Sequence, residues 1–182
     1  MANIFIKALC LIFVILMGYL FKKGHLLSPD DFKPISKIVF NLTLPCAIIN
    51  SLSAATINYS YLFIILIGLA CNLLTIAAGY GLKRKKSQKE KAFAMINLSG
   101  YNIGNFAYPF IQTFLGPQAI MALCLFDAGN CIMCTSGTKV ITSNMVSHKH
   151  QMNPILFFKK IFYSVPFDIY LIMFLLTLAK IH

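Results

Sequence analysis

The chain alternates long apolar runs with short polar stretches, and the runs are longer than the core of a small soluble domain can use. A helix needs about 20 mostly apolar residues to cross a bilayer, and on that scale the runs predict spans at 4–21, 35–54, 60–82, 92–115, 118–141 and 164–181. The first and third read as cleanly apolar. The second, fourth and fifth carry Asn, Pro, Ser, Asp or Gly, which lipid-facing helices avoid, so these three are expected to face protein or a water-filled cavity. The first run, Ile4 to Phe21, is followed by Lys22-Lys23-Gly24-His25 without the small-residue site of a cleaved leader, and is read as a retained span.

The fourth run carries the densest polar insert. From Asn97 to Pro109 it holds three Asn, two Gly, a Ser and a Pro, so continuous helix is not expected there: Gly100 and Gly104 permit an unwound segment, and Asn102 to Pro109 is the helix-breaking insert. Backbone groups freed inside a bilayer cost several kcal/mol each, so such a break survives only where it is buried in protein or lines a cavity. A half-helix restarting near Pro109 would aim its unpaired N–H groups and positive dipole end at that cavity, which favours an anion such as a carboxylate. Asn102 and Asn105 add uncharged donors, while their carbonyls can instead hold a cation or water; the bland alternative is a kinked helix whose asparagines bond to neighbouring helices. In the fifth run Asp127 and Asn130, three apart, share one helix face beside Gly129. A bare carboxylate at that depth is costly, so Asp127 is expected to be protonated, paired or hydrated, serving either proton or cation coupling or a structural hydrogen bond. The second run repeats the pattern in miniature as Asn41-Leu-Thr-Leu-Pro45 followed by Asn50-Ser51; Pro45 is expected to bend it, in a packing role.

Composition and charge then orient the spans. With 58% hydrophobic and only 12% charged residues, the net charge of +11 does not describe a soluble basic face for nucleic acid. Thirteen of the sixteen basic residues fall in the predicted first, third and fifth loops (Lys22 to Lys37, Lys83 to Lys91, Lys149 to Lys160), and none in the loops Ala55 to Tyr59 and Gly116-Pro117. Lysine and arginine are retained on the cytoplasmic side, which places the N-terminus outside and those three loops inside. The basic third loop reads as a topology anchor, with binding of anionic lipid head groups as the alternative. His148 and His150 read as part of a solvated loop rather than a metal site, and Lys139 as a residue that reaches for the interface. All six cysteines lie in apolar segments, which argues against a disulfide framework or zinc, and Cys131-x-x-Cys134 reads as packing. No nucleophile–base set, paired carboxylates or metal-spaced ligands share a span or a depth, so neither an enzyme nor a cofactor is expected.

Five segments in order along the chain carry a resemblance: Gly18-Tyr-Leu-Phe-Lys-Lys-Gly24, Asn41 to Pro45, Asn102-Ile-Gly-Asn-Phe-Ala-Tyr-Pro109, Phe114-Leu-Gly116 and Asp127-Ala-Gly-Asn130. Together they resemble the auxin efflux carrier family, related more distantly to the bile acid–sodium symporters. The resemblance implies an all-α integral membrane protein of about six transmembrane helices: the first five-helix inverted repeat of a ten-helix carrier, with a broken crossover fourth helix. On that plan residues 1–145 form the first repeat, spans one and two being scaffold and spans three to five transport domain. Residues 146–163 form a cytoplasmic loop, and 164–182 the first helix of the second repeat.

The same resemblance places Asn102, Gly104, Asn105 and Pro109 on the substrate-binding crossover and Asp127 and Asn130 on the helix beside it, as candidates for proton or sodium coupling. Bacterial relatives are commonly called malate or malonate permeases, so the implied function is a cell-membrane permease for a small organic anion such as a dicarboxylate. The second crossover lies outside these 182 residues. The chain alone is therefore expected not to transport, being a truncated or split form that awaits a second repeat or a homo-oligomeric partner. The contrasting expectation is a non-transport accessory module whose small and polar residues serve helix packing.

Overall fold

A computed structural model describes residues 2–28, 30–53, 62–146, 159 and 162–179. Every regular element among them is helical. They are α1 (Ala2–Lys23), α2 (Phe32–Ser53), α3 (Leu62–Leu82), α4 (Gln88–Leu98), α5 (residues 103–114), α6 (Pro117–Val146) and α7 (Val165–Leu178). Stretches long and apolar enough to cross a membrane are Ile4–Lys23, α2, α3 and α6, with α7 shorter. The predicted fourth span is instead divided between α4 and α5. The predicted second loop and, apart from Lys159, the fifth-loop residues Lys149, Lys160, His148 and His150 lie outside the described residues.

Two expectations about apolarity are corrected by the helices themselves. α1 carries Lys7, whose ammonium donates to the carbonyl of Thr113 at 2.8 Å, so its charge rests on the C-terminal end of α5, where free carbonyls and the helix dipole favour a cation. α3 carries Asn72, which is completely buried. Elsewhere α1 turns apolar side chains such as Phe5 (69% exposed) and Leu9 (63% exposed) outward. An apolar face of that length needs lipid rather than water around it.

Small residues set how the remaining helices meet. A Cβ on Gly129 of α6 would collide with the carbonyl oxygen of Ile65, and one on Gly68 of α3 with that of Phe126, so α3 and α6 cross backbone to backbone. Ile76, Met95 and Met133 fill the space where α3, α4 and α6 come together. On the other side α2 and α7 pair, and Leu44, Ile48 and Leu52 of α2 with Tyr170 and Met173 of α7 close over Cys124 and Leu125 of α6.

The lysine-rich turn before α4 is shorter than the sequence pattern suggests. Ser87 caps the helix reciprocally with Glu90: the Ser87 hydroxyl accepts from the Glu90 N–H at 3.4 Å, and the Glu90 carboxylate accepts from the Ser87 N–H at 3.1 Å. Lys89 and Lys91 therefore stand on the first turn of α4, with the Lys91 ammonium 5.1 Å from the centre of the Tyr80 ring. Lys33 and Lys37, placed in the first loop by pattern, likewise lie on α2.

Candidate functional site

Among the described residues three helices contain a π turn, in which an N–H reaches back five residues instead of four. Leu44 bonds to Val39 in α2, Tyr108 to Ile103 in α5, and Thr138 to Met133 in α6. The first two end two residues before a proline, within the matching sequences Asn41-x-x-x-Pro45 and Asn105-x-x-x-Pro109. Widening the turn just before proline lets the helix pass a residue that has no N–H to give.

The break falls at the front of the expected Asn97–Pro109 insert, and the helix restarts earlier than the expected position near Pro109. Pro109 sits inside α5, and the chain leaves the helix earlier, between Ser99 and Asn102. Ser99 turns extended at φ −92° and ψ 154°, and Gly100 takes φ +84°, a left-handed conformation that favours glycine. Asn102 then opens α5: its carbonyl accepts the Ala107 N–H at 3.2 Å, and its side chain makes no capping bond.

Two buried asparagines pair with the peptide groups that the break exposes. The Gly100 N–H donates to Asn72 Oδ1 at 2.8 Å. The Tyr101 N–H donates to Asn130 Oδ1 at 2.9 Å, and Asn130 Nδ2 donates back to the Tyr101 carbonyl at 2.9 Å, as a neighbouring strand would. The amides also lock to each other, Asn72 Nδ2 donating to Asn130 Oδ1 at 3.1 Å and to the Gly68 carbonyl at 2.9 Å. The second N–H of Asn130 reaches Asp127 Oδ1 at 2.9 Å, and the Tyr170 hydroxyl donates to Asp127 Oδ2 at 2.8 Å. Asn72, Asn130 and Asp127 are 0%, 2% and 4% exposed, so this is a satisfied polar network in an apolar surround.

The network sorts the residues singled out by sequence. Asn130 has both N–H groups committed and its oxygen shared, which makes it frame rather than ligand. Asp127 keeps lone pairs free on a cavity of about 530 Å³ that Asn102, Gly104 and Cys134 also line. Asn105 and Pro109 face a different cavity of about 580 Å³ between α2 and α5. The two cavities meet at Gly104 and Leu44: a Cβ on Gly104 would lie 2.8 Å from Leu44 Cδ2, so Leu44 packs straight onto the bare backbone. Among the described residues no lysine, arginine or histidine lines either cavity. Asn72 is not among the residues the sequence pattern singles out: Asn130 stands out through Asp127 on the same face, whereas Asn72 is the one polar amide of an apolar span.

A bundle of lipid-facing helices with one span broken at depth, its loose peptides held by buried amides, is the build of a multi-pass membrane carrier. A family model described as membrane transport protein matches residues 3–157, and the chain belongs to that family, the auxin efflux and bile acid carriers. The family is one of transporters and not of enzymes. No curated protein and no solved structure matches the chain.

Proposed function

We propose that this transporter moves a small organic anion such as a dicarboxylate, and that the α4–α5 break forms half of its binding site. The observation that carries the reading is the pinned break itself, standing between two cavities that meet where Leu44 packs on Gly104. In this reading Asn102 and the first-turn N–H groups of Gly104 and Asn105 receive a carboxylate, since a first turn has no internal carbonyls to occupy them. Asn105 and Pro109 flank the same turn from the second cavity. With no basic side chain among the described residues of either lining, the charge of the anion is offset by peptide dipoles and by a proton or sodium ion held at Asp127, with Asn130 as its support.

α1, α2 and α7 act as scaffold and α3 to α6 as the moving unit, in a cell membrane with the N-terminus outside. Support for the division comes from the seam's bonding, which among the described residues runs through side chains: Lys7 to Thr113, Ser51 to Tyr108 at 2.8 Å, the Tyr108 hydroxyl to the Ala47 carbonyl at 3.4 Å, Tyr170 to Asp127, and Ser51 and Tyr170 beside the Cys124 thiol. Uptake of labelled malonate by vesicles that hold the chain together with a second repeat tests the site. Asn102→Ala is expected to lower uptake about tenfold, the worth of one hydrogen bond to a charged group, and Gly104→Ala to lower it further by wedging Leu44 away. Asp127→Asn is expected to remove the response to an imposed proton or sodium gradient. Unchanged uptake in both Asn102→Ala and Gly104→Ala would sink the assignment. Vesicles holding only these 182 residues test the separate expectation that they do not transport unaided; uptake there removes it.

A further inference from the structure

We propose that Tyr170 is a positioning residue that couples α7 to the cation load on Asp127. The inference rests on the reading of Asp127 as the site of that load, and it adds how the load is communicated. The two carboxylate oxygens are held from opposite directions: Oδ1 by Asn130, which grips the broken peptide at Tyr101, and Oδ2 by the hydroxyl of Tyr170. The path from the break to α7 is thus three side chains long. Each is buried, Tyr170 at 5% exposure. Tyr170 also anchors the apolar cluster that joins α7 to α2 and α6, so anything that changes its grip on Asp127 is felt where the scaffold and the moving unit touch.

A phenol O–H bonds more strongly to a carboxylate than to a carboxylic acid, because the acceptor carries full charge. A proton that enters from the cavity and binds a free lone pair of Asp127 therefore weakens the Tyr170 bond; by linkage, Tyr170 opposes that proton by the same factor. Among the described residues the other titratable groups around the carboxylate are Cys124, Cys131 and Cys134 of α6 with Tyr101 and Tyr163 on the cavity wall, while α2 and α5 add no acid or base to that lining. None of these carries a positive charge, so Tyr170 and Asn130 are the groups that hold the anionic form.

Dicyclohexylcarbodiimide reads this directly, because it reacts with protonated carboxyls inside membranes and the adduct on Asp127 is measured by mass spectrometry. In the full chain in nanodiscs, Tyr170→Phe is expected to move the midpoint of labelling against pH upward by about one unit, one hydrogen bond to a charged acceptor being worth about tenfold. Replacing Tyr170 with 3-fluorotyrosine keeps the shape and strengthens the donor, and is expected to move the midpoint downward. Asp127→Asn marks the background. A midpoint that stays put in both variants overturns the proposal, as does the same upward shift in both. Should Tyr170→Phe fail to assemble, the fluorinated protein decides alone: a downward shift supports the coupling and none overturns it. Malonate uptake is scored separately, so unmoved midpoints beside intact uptake end this inference and leave the transport reading standing. Absent uptake in vesicles that also hold a second repeat, beside opposite midpoint shifts, does the reverse.

Discussion

α2 and the α4–α5 segment carry nearly the same motif and come out differently. Both have Asn-x-x-x-Pro, and both have a π turn ending two residues before the proline. Yet α2 runs unbroken from Phe32 to Ser53, while the other chain segment leaves the helix for four residues. What differs lies upstream. Before Asn41 stand Lys37-Ile-Val-Phe40, an apolar run with no glycine or capping residue; before Asn105 stand Ser99, Gly100 and Asn102, with buried amides opposite to receive their peptides. Proline in this fold widens a turn; a left-handed glycine and partners from two other helices make a break.

The contrast yields experiments in descending order of effect. Asn130→Ala leaves the Tyr101 N–H and one Asp127 oxygen without their partners, and is expected to cost about 3 kcal/mol or more of stability against denaturation in detergent micelles. Its counterpart Asn41→Ala, on an exposed position of α2, is expected to change stability by less than about 0.5 kcal/mol; equal losses would dissolve the distinction drawn above. Next comes Gly100→Ala, which imposes a side chain at φ +84° with its Cβ 2.9 Å from Cys134 Sγ, at an expected cost of about 1–3 kcal/mol in the same assay.

Pro109→Ala should do less, within about 1 kcal/mol, and should leave the break open. Solid-state NMR shifts of Gly100 would keep their left-handed signature; their conversion to helical values would mean that the proline does make the break after all. The smallest effect belongs to the other end of α4, which is anchored in water. The Ser87 side chain, then its backbone N–H, with Lys86 and Lys83 nearby, hold the Glu90 carboxyl below its ordinary value of 4.5. A carboxyl depressed by folding supports the helix above its unfolded value and loses that support as pH falls through the lower folded one. A slight loss of α4 helicity below about pH 4.5 is therefore expected by circular dichroism, and it should vanish in Ser87→Ala.

Much of the helix layout was legible because hydropathy is additive along a span. Runs at 60–82 and 164–181 correspond to Leu62–Leu82 and Val165–Leu178. The start of α4 was less legible, since lysines lower hydropathy whether or not they are helical; the Ser87-x-x-Glu90 cap was the better signal. At the site, the polar cluster and Gly100 are legible in the sequence, but the restart of the helix at Ile103 rather than Pro109 is not. Proline and asparagine weigh heavily in a pattern, whereas a backbone break depends on which partners lie across space. Asn72 shows the same limit: one amide scarcely dents the hydropathy of α3, and its value appears only when Gly100, twenty-eight residues on, is found bonded to it.

A π turn holds one residue more than the α turn it replaces. Positions 39–43, 103–107 and 133–137 are therefore places where the chain can lose a residue while everything after it keeps its facing. A loss elsewhere in a helix swings the remainder by about 100°. Dropping one residue between Pro117 and Phe126 would turn Asp127 and Asn130 relative to the start of their own helix, while dropping one from the π turn of α6 would leave both in place and Thr138–Val146 still facing its neighbours. Homologous chains that differ in length inside these helices should carry their single-residue gaps at those three turns.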